Sequence, residues 1–120
     1  MVHMFTLTSD IQHENTITKS REEVLAITSE IIGYIRDHTD TCMFSAMDAT
    51  RTDWDYLIEV DRASATIINV QDTVGVIAPS GTKTLIGRIY LNVPHPIDGL
   101  CHNDCGLAAA NTITAVVVGA

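Results

Sequence analysis

Four short apolar runs recur along this chain, and each is followed by a stretch whose apolar residues fall at helical spacing. That alternation limits the fold more than any other feature, because strands that alternate with helices pair in parallel through right-handed crossovers. Val2 to Thr8 is the first strand, with threonine interleaved among apolar residues. The polar residues from Ser9-Asp10 to Asn15 read as a loop. Ser20-Arg21-Glu22-Glu23 then fits a capping box, and Val24, Ile27, Ile31 and Ile35 set an amphipathic helix running to about Asp37.

Thr41 to Ala46 is the second strand, and Thr52 is placed to cap the short helix from Trp54 to about Arg62. Thr66 to Val70 is nearly all apolar, as a strand buried on both faces is. Gln71 to Gly75 turns the chain, and Pro79 suits the first turn of a third helix, where its missing N–H costs nothing. The fourth strand is the apolar run around Ile97 to Cys101, feeding a small-residue helix from Gly106 to about Val118. The expected fold class is α/β, one domain over residues 1–120, with four successive β-α units and a parallel sheet.

Charge removes several function classes. Acids outnumber Lys and Arg 15 to 7 and no basic cluster exists, so neither a nucleic acid nor an anionic membrane surface is an expected partner. No apolar run approaches the ~18 residues of a membrane span, and Met1 to Phe5 lack the basic and apolar regions of a signal peptide. Three cysteines form no disulfide pattern, which points to a reducing, cytoplasmic setting.

In parallel sheets the chemistry gathers where strands end and loops begin. That rule nominates Ser9-Asp10, Ser45 with Asp48, Asp72-Thr73 and His102-Asn103-Asp104, each also readable as a plain helix cap. The stretch from Gly75 to Lys83 has the wrong glycine spacing for a phosphate loop. Cys101 and His102 are adjacent on a strand and point to opposite faces, so zinc is disfavoured there. No Gly-x-Ser-x-Gly elbow is present, and His13, His38 and His95 read as solvated loop residues.

Several stretches together resemble one family. Ser9-Asp10-Ile11-Gln12-His13, Phe44-Ser45-Ala46-Met47-Asp48-Ala49-Thr50-Arg51-Thr52-Asp53, Asn69-Val70-Gln71-Asp72-Thr73-Val74-Gly75 and His102-Asn103-Asp104-Cys105-Gly106-Leu107-Ala108, in this order, resemble the 2-isopropylmalate, homocitrate and citramalate synthases. These are HMG-CoA-lyase-like barrels that condense acetyl-CoA with a small 2-oxo acid around a divalent metal (Zn, Mg or Mn). The resemblance implies a partial (half) TIM barrel, corresponding to barrel strands three to six. It implies substrate contacts at His3, Ser45 and Thr73, and a metal ligand at His102, the second histidine of a His-x-His pair.

The first histidine of that pair is Leu100 here, a family glutamate is Met47, and the stretch between Val60 and Thr66 is shorter than in the family. The catalytic first strand of the family has no counterpart among these residues. The expectation is therefore a degenerate relative or fragment of a condensing synthase, inactive by itself; the alternative is a catalytically silent, self-associating α/β module. Four strands of a barrel would also leave two open edges and an inward face of Ile, Val and Phe, so a homo-oligomer, a dimer in the simplest case, is expected. The other outcome would be rearrangement to an open sheet with helices on both faces.

Overall fold

The computed structural model describes residues 1–63 and 66–120. The chain runs through strand β1 (Val2–Leu7), a short helix α1 (Asp10–Gln12) continued by one π-helical turn (His13–Ile17), and helix α2 (Arg21–Arg36). Strand β2 (Cys42–Met47), a 3-10 turn (Ala49–Arg51) and helix α3 (Trp54–Arg62) follow, then β3 (Ile67–Asp72), α4 (Pro79–Asn92), β4 (Ile97–Cys101) and α5 (Ala108–Val118). All pairings are parallel and the sheet order is β1-β2-β3-β4. Neighbours in sequence are neighbours in space, which is barrel winding.

Alternation along the strands decides what each face of the sheet carries. Cys42, Phe44, Ala46, Ile68, Val70 and Ile97 share one face and form a single core with Ile32, Leu57, Val60, Leu85, Ile89 and Ala115 from the helices. The opposite face carries His3, Phe5, Met43, Ser45, Asn69 and Asp98, none of which belongs to that core. All the helical cover lies on one side, so the two-sided open sheet does not form. The bare face is also not the expected wall of Ile, Val and Phe. Phe44 of β2 and Ile68 and Val70 of β3 turn to the helices, so the bare face mixes Phe5 and Ile67 with polar and Met residues.

Local physics accounts for the helix ends. In α2, the Ser20 hydroxyl accepts from the Glu23 N–H while the Glu23 carboxylate accepts from the Ser20 N–H, completing the capping box. Its buried stripe is Val24, Thr28, Ile32 and Ile35, whereas Ile27 and Ile31 remain 39% and 42% exposed. The apolar arc of this helix is wider than the core it covers, and the sheet takes only one side of it.

For α3 the cap is Asp53, which accepts from the Tyr56 N–H; Thr52 is one residue too early and its hydroxyl turns inward to donate to the Asp48 carbonyl. Helix α5 starts at Ala108, after Gly106 has made the turn at φ +73°. The shortened stretch between Val60 and Thr66 includes residues 64 and 65, which lie outside the described residues.

The segment after β1 is helical where a loop is expected, and His13 is buried where a solvated residue is expected. Its Nε2–H donates to the Leu7 carbonyl at 3.0 Å, and its ring meets the Tyr56 ring edge-on at 5.8 Å. A satisfied donor and an aromatic neighbour remove the penalty of burying an imidazole.

Asp61, on the buried side of α3, has no such relief. It is fully buried and neither carboxylate oxygen has a hydrogen-bond partner among the described residues. Burial pushes its pKa up to about 8 from an ordinary 3.8. The folded carboxyl thus keeps its proton while the unfolded one loses it. The contribution of Asp61 to stability is therefore fully present below about pH 4 and is lost as pH rises towards 8, an amount on the order of 5 kcal/mol. Urea unfolding at a series of pH values should show this decline, and Asp61→Asn, which cannot ionise, should flatten it.

Candidate functional site

The helix-free face is the natural place for a ligand, because its polar groups lie across adjacent strands rather than along one. Ser45 is fully buried in the middle of β2, and its Oγ lies 2.6 Å from Nε2 of His3 on β1. Parallel register sets Ser45 beside Asn69 and Asn69 beside Asp98, so one row of the sheet reads Ser45, Asn69, Asp98. Asn69 Nδ2 donates to Asp98 Oδ2 at 3.4 Å, and its Oδ1 is buried with no partner among the described residues. A buried hydroxyl, an imidazole and an amide on one surface can orient a small acid through hydrogen bonds. They do not make a nucleophile, because no third group orients the His3 ring among the described residues.

Residues nominated at the strand ends divide into two kinds. Ser9, Asp48 and Asp72 are structural. Asp48 is fully buried with φ at +62°; Ser9 Oγ donates to its carboxylate at 2.6 Å and Arg51 clasps it with bonds of 2.7 to 3.1 Å. Asp10 forms a bidentate pair with Arg21 at the surface. Asp72 folds the loop after β3 around itself, accepting from the Thr50 hydroxyl and from the N–H groups of Gly75, Val76 and Ile77. Gly75 has φ +69°, and a Cβ there would lie 2.7 Å from the Asp104 carboxylate, so a glycine lets the β3 and β4 loops touch.

Thr73 and His102 stand on those two loops. Thr73 is half-buried just beyond β3, and His102 is exposed just beyond β4, its backbone N–H bonded to the Asp72 carbonyl. No side-chain hydrogen bond joins either of them to His3 or Ser45 among the described residues. Thus His3 and Ser45 are brought together as a pair, while Thr73 and His102 approach only through the contact of their loops.

The donor set at His102 is poor for a metal. Its Nδ1 is 4.0 Å from Asp104 Oδ2, both groups are exposed, and the strand position two residues earlier is Leu100. Burial pushes the Cys101 thiol above its ordinary pKa, which opposes the thiolate that zinc needs. Among the described residues no group of three His, Cys, Asp or Glu could hold an ion.

Sequence reasoning passed over Asn69, Asp98 and Asn111. Asn69 carried a usable signal, since it and Gln71 are polar residues two apart in an apolar strand and mark a second, uncovered face. Asn111 is fully buried, and its Nδ2 donates to the Ile77 carbonyl at 2.9 Å, tying α5 to the segment before α4.

The model of the HMGL-like family matches residues 1–120. A probable 2-isopropylmalate synthase of Methanosarcina mazei is 54% identical over 124 residues, covering all of this chain and 24% of that protein. The 2-isopropylmalate synthase of Methanocaldococcus jannaschii is 46% identical over 123 residues, covering 99% and 24%. The chain therefore spans about a quarter of the length of these synthases. Among solved structures, HMG-CoA lyase of Bacillus subtilis superposes with a TM-score of 0.86 at 20% identity, covering 98% of this chain and 43% of the lyase. The hydroxymethylglutaryl-CoA lyase of Pseudomonas aeruginosa gives 0.82, also at 20% identity, with the same coverage. At that identity the lyases show the fold, and the fold is a partial barrel.

The division of the strand-end residues has a measurable form. Asp48→Asn tolerates the left-handed backbone but removes the charge that Arg51 and Ser9 hold, and should cost about 2 kcal/mol in urea unfolding. His3→Ala, on the open face, should cost no more than about 1 kcal/mol.

Proposed function

The chain belongs to the HMGL-like family, and from that premise we propose that it forms four β-α units of the barrel wall of a 2-isopropylmalate-synthase-type enzyme, without condensing activity of its own. In this reading His3, Ser45 and Thr73 contact a small 2-oxo acid, and acetyl-CoA is the second substrate of the complete enzyme. The hydrogen bond between His3 and Ser45 carries it: two residues 42 apart in sequence, both implied by the family resemblance, converge at 2.6 Å on the face that no helix covers.

A divalent metal would supply Lewis-acid polarisation of the 2-oxo carbonyl in such a synthase. The residues present do not fit one. His102 is a single exposed imidazole, Leu100 offers no donor at the position of the paired histidine, and Met47 replaces the family glutamate. One imidazole and a carboxylate 4.0 Å away do not make the three or more protein ligands that tight binding requires. No step through a metal follows from this chain. Among the described residues no helix is long and apolar enough to cross a membrane, and a cytoplasmic setting belongs to the same proposal.

Two measurements test the reading. The purified chain, supplied with acetyl-CoA, Zn, Mg or Mn, and 2-oxoisovalerate, pyruvate or 2-oxoglutarate, should release no CoA above a blank in a thiol assay; turnover would overturn the inactive part. Millimolar 2-oxoisovalerate should shift the His3 ring resonances in NMR spectra, and Ser45→Ala should abolish that shift. Unmoved resonances would remove the substrate wall.

A further inference from the structure

We infer that Met47 and Leu100 make this part of the barrel a place of binding rather than of reaction. It holds a small 2-oxo acid and leaves that acid's carbonyl unpolarised, even with the rest of the barrel in place. The inference rests on the acid-binding reading above and concerns what that site still permits. Its first observation is the order of side chains up the helix-free face. Phe5 stands beside Ser45 and Leu7 beside Met47, Ala46 pairs with Val70, and Gln71 stands beside Leu100. Side chains two apart on a strand share a face. The row at the carboxyl ends of the strands therefore reads Leu7, Met47, Gln71, Leu100, one step above the row that holds Ser45 and Asn69.

That row carries no charge. Leu7 and Met47 are half-buried, Leu100 is 39% exposed, and none of the three joins the core under the helices. Gln71 is its one polar member, a neutral amide. In parallel barrels the reacting atoms sit at the carboxyl ends of the strands, and here the resemblance expects a glutamate at 47 and a histidine at 100. A thioether and an isobutyl group are not ligands for Zn, Mg or Mn. Among the described residues no cluster of His, Cys, Asp or Glu takes their place.

Binding and reaction need different things from this surface. Orienting the acid needs hydrogen bonds, and the His3–Ser45 pair at 2.6 Å keeps its geometry beside both replacements. Forming a carbon–carbon bond at the 2-oxo carbon moves an electron pair onto the carbonyl oxygen, and that charge must be met by a cation or by aimed donors. The one imidazole left near the row is His102, exposed and just past the end of β4. Losing an outer partner of a metal ligand already weakens binding about ten- to a hundredfold, and losing the ligand itself costs more. The acid is therefore retained, and the second substrate finds no activated carbon.

Two arms test this, the first on the chain itself. The shift that 2-oxoisovalerate causes in the His3 ring resonances should be the same in excess EDTA and in millimolar Mg or Zn; a shift that requires the ion would overturn the inference. Leu100→His, which rebuilds a His-x-His pair with His102, should tighten Zn binding about tenfold or more in calorimetry; an unchanged affinity would overturn it as well. In the second arm the chain replaces the matching segment of the probable synthase of Methanosarcina mazei, of which it covers 24%. The folded graft should release no CoA from acetyl-CoA and 2-oxoisovalerate above a blank, and Met47→Glu with Leu100→His should raise release at least tenfold over that blank. A graft that turns over unaided, or a folded, doubly substituted graft that stays silent, would overturn the inference and leave the acid-binding reading standing. If 2-oxoisovalerate moves no resonance of the chain, that reading falls first and the inference falls with it.

Discussion

Everything in this molecule depends on four parallel strands paired in chain order. Once β1 to β4 lie side by side in one direction, each connection must cross back over the sheet, and right-handed crossovers set every helix on the same face. The pleat then sorts side chains two by two. Phe44, Ala46, Ile68 and Val70 join the helices, and the residues between them turn to the bare side. The hydrophobic core and the candidate site are thus two outputs of one geometric rule, separated by one residue of register.

The fold was legible in the sequence because alternation of strand and helix is a long-range pattern that survives local error. Element ends were less so. Thr52 and Asp53 are both good cap residues, and only the inward hydrogen bond of Thr52 to the Asp48 carbonyl decides between them. His13 looked like a loop residue because nothing in its neighbourhood announces that Tyr56, 43 positions later, will bury it. On α2 an apolar stripe announced a helix but not which part of its arc the sheet would claim.

The candidate site divides in the same way. Of the three substrate contacts that the resemblance implies, His3 and Ser45 share a hydrogen bond, whereas Thr73 stands apart on the loop after β3. Ser9, Asp48 and Asp72 look the same on paper, polar residues after apolar runs, yet their carboxylates and hydroxyls are consumed by the loops they organise. Composition cannot separate a carboxylate that binds a ligand from one that binds its own backbone. The distinction lies in the count of donors already aimed at each oxygen, which is a three-dimensional quantity.

Asp61 changes how the electrostatics of the chain are to be counted. The formal charge of −8 at pH 7 treats all carboxyls as ionised, whereas the folded chain holds the Asp61 proton to about pH 8 and is one unit less negative. Folding at neutral pH is therefore also a proton uptake. The heat of unfolding will depend on the ionisation enthalpy of the buffer that receives that proton, so two calorimeter scans at the same pH in phosphate and in Tris will not superimpose. One buried carboxyl with no hydrogen-bond partner among the described residues thereby couples the stability of the barrel wall to the solvent's own acid–base chemistry.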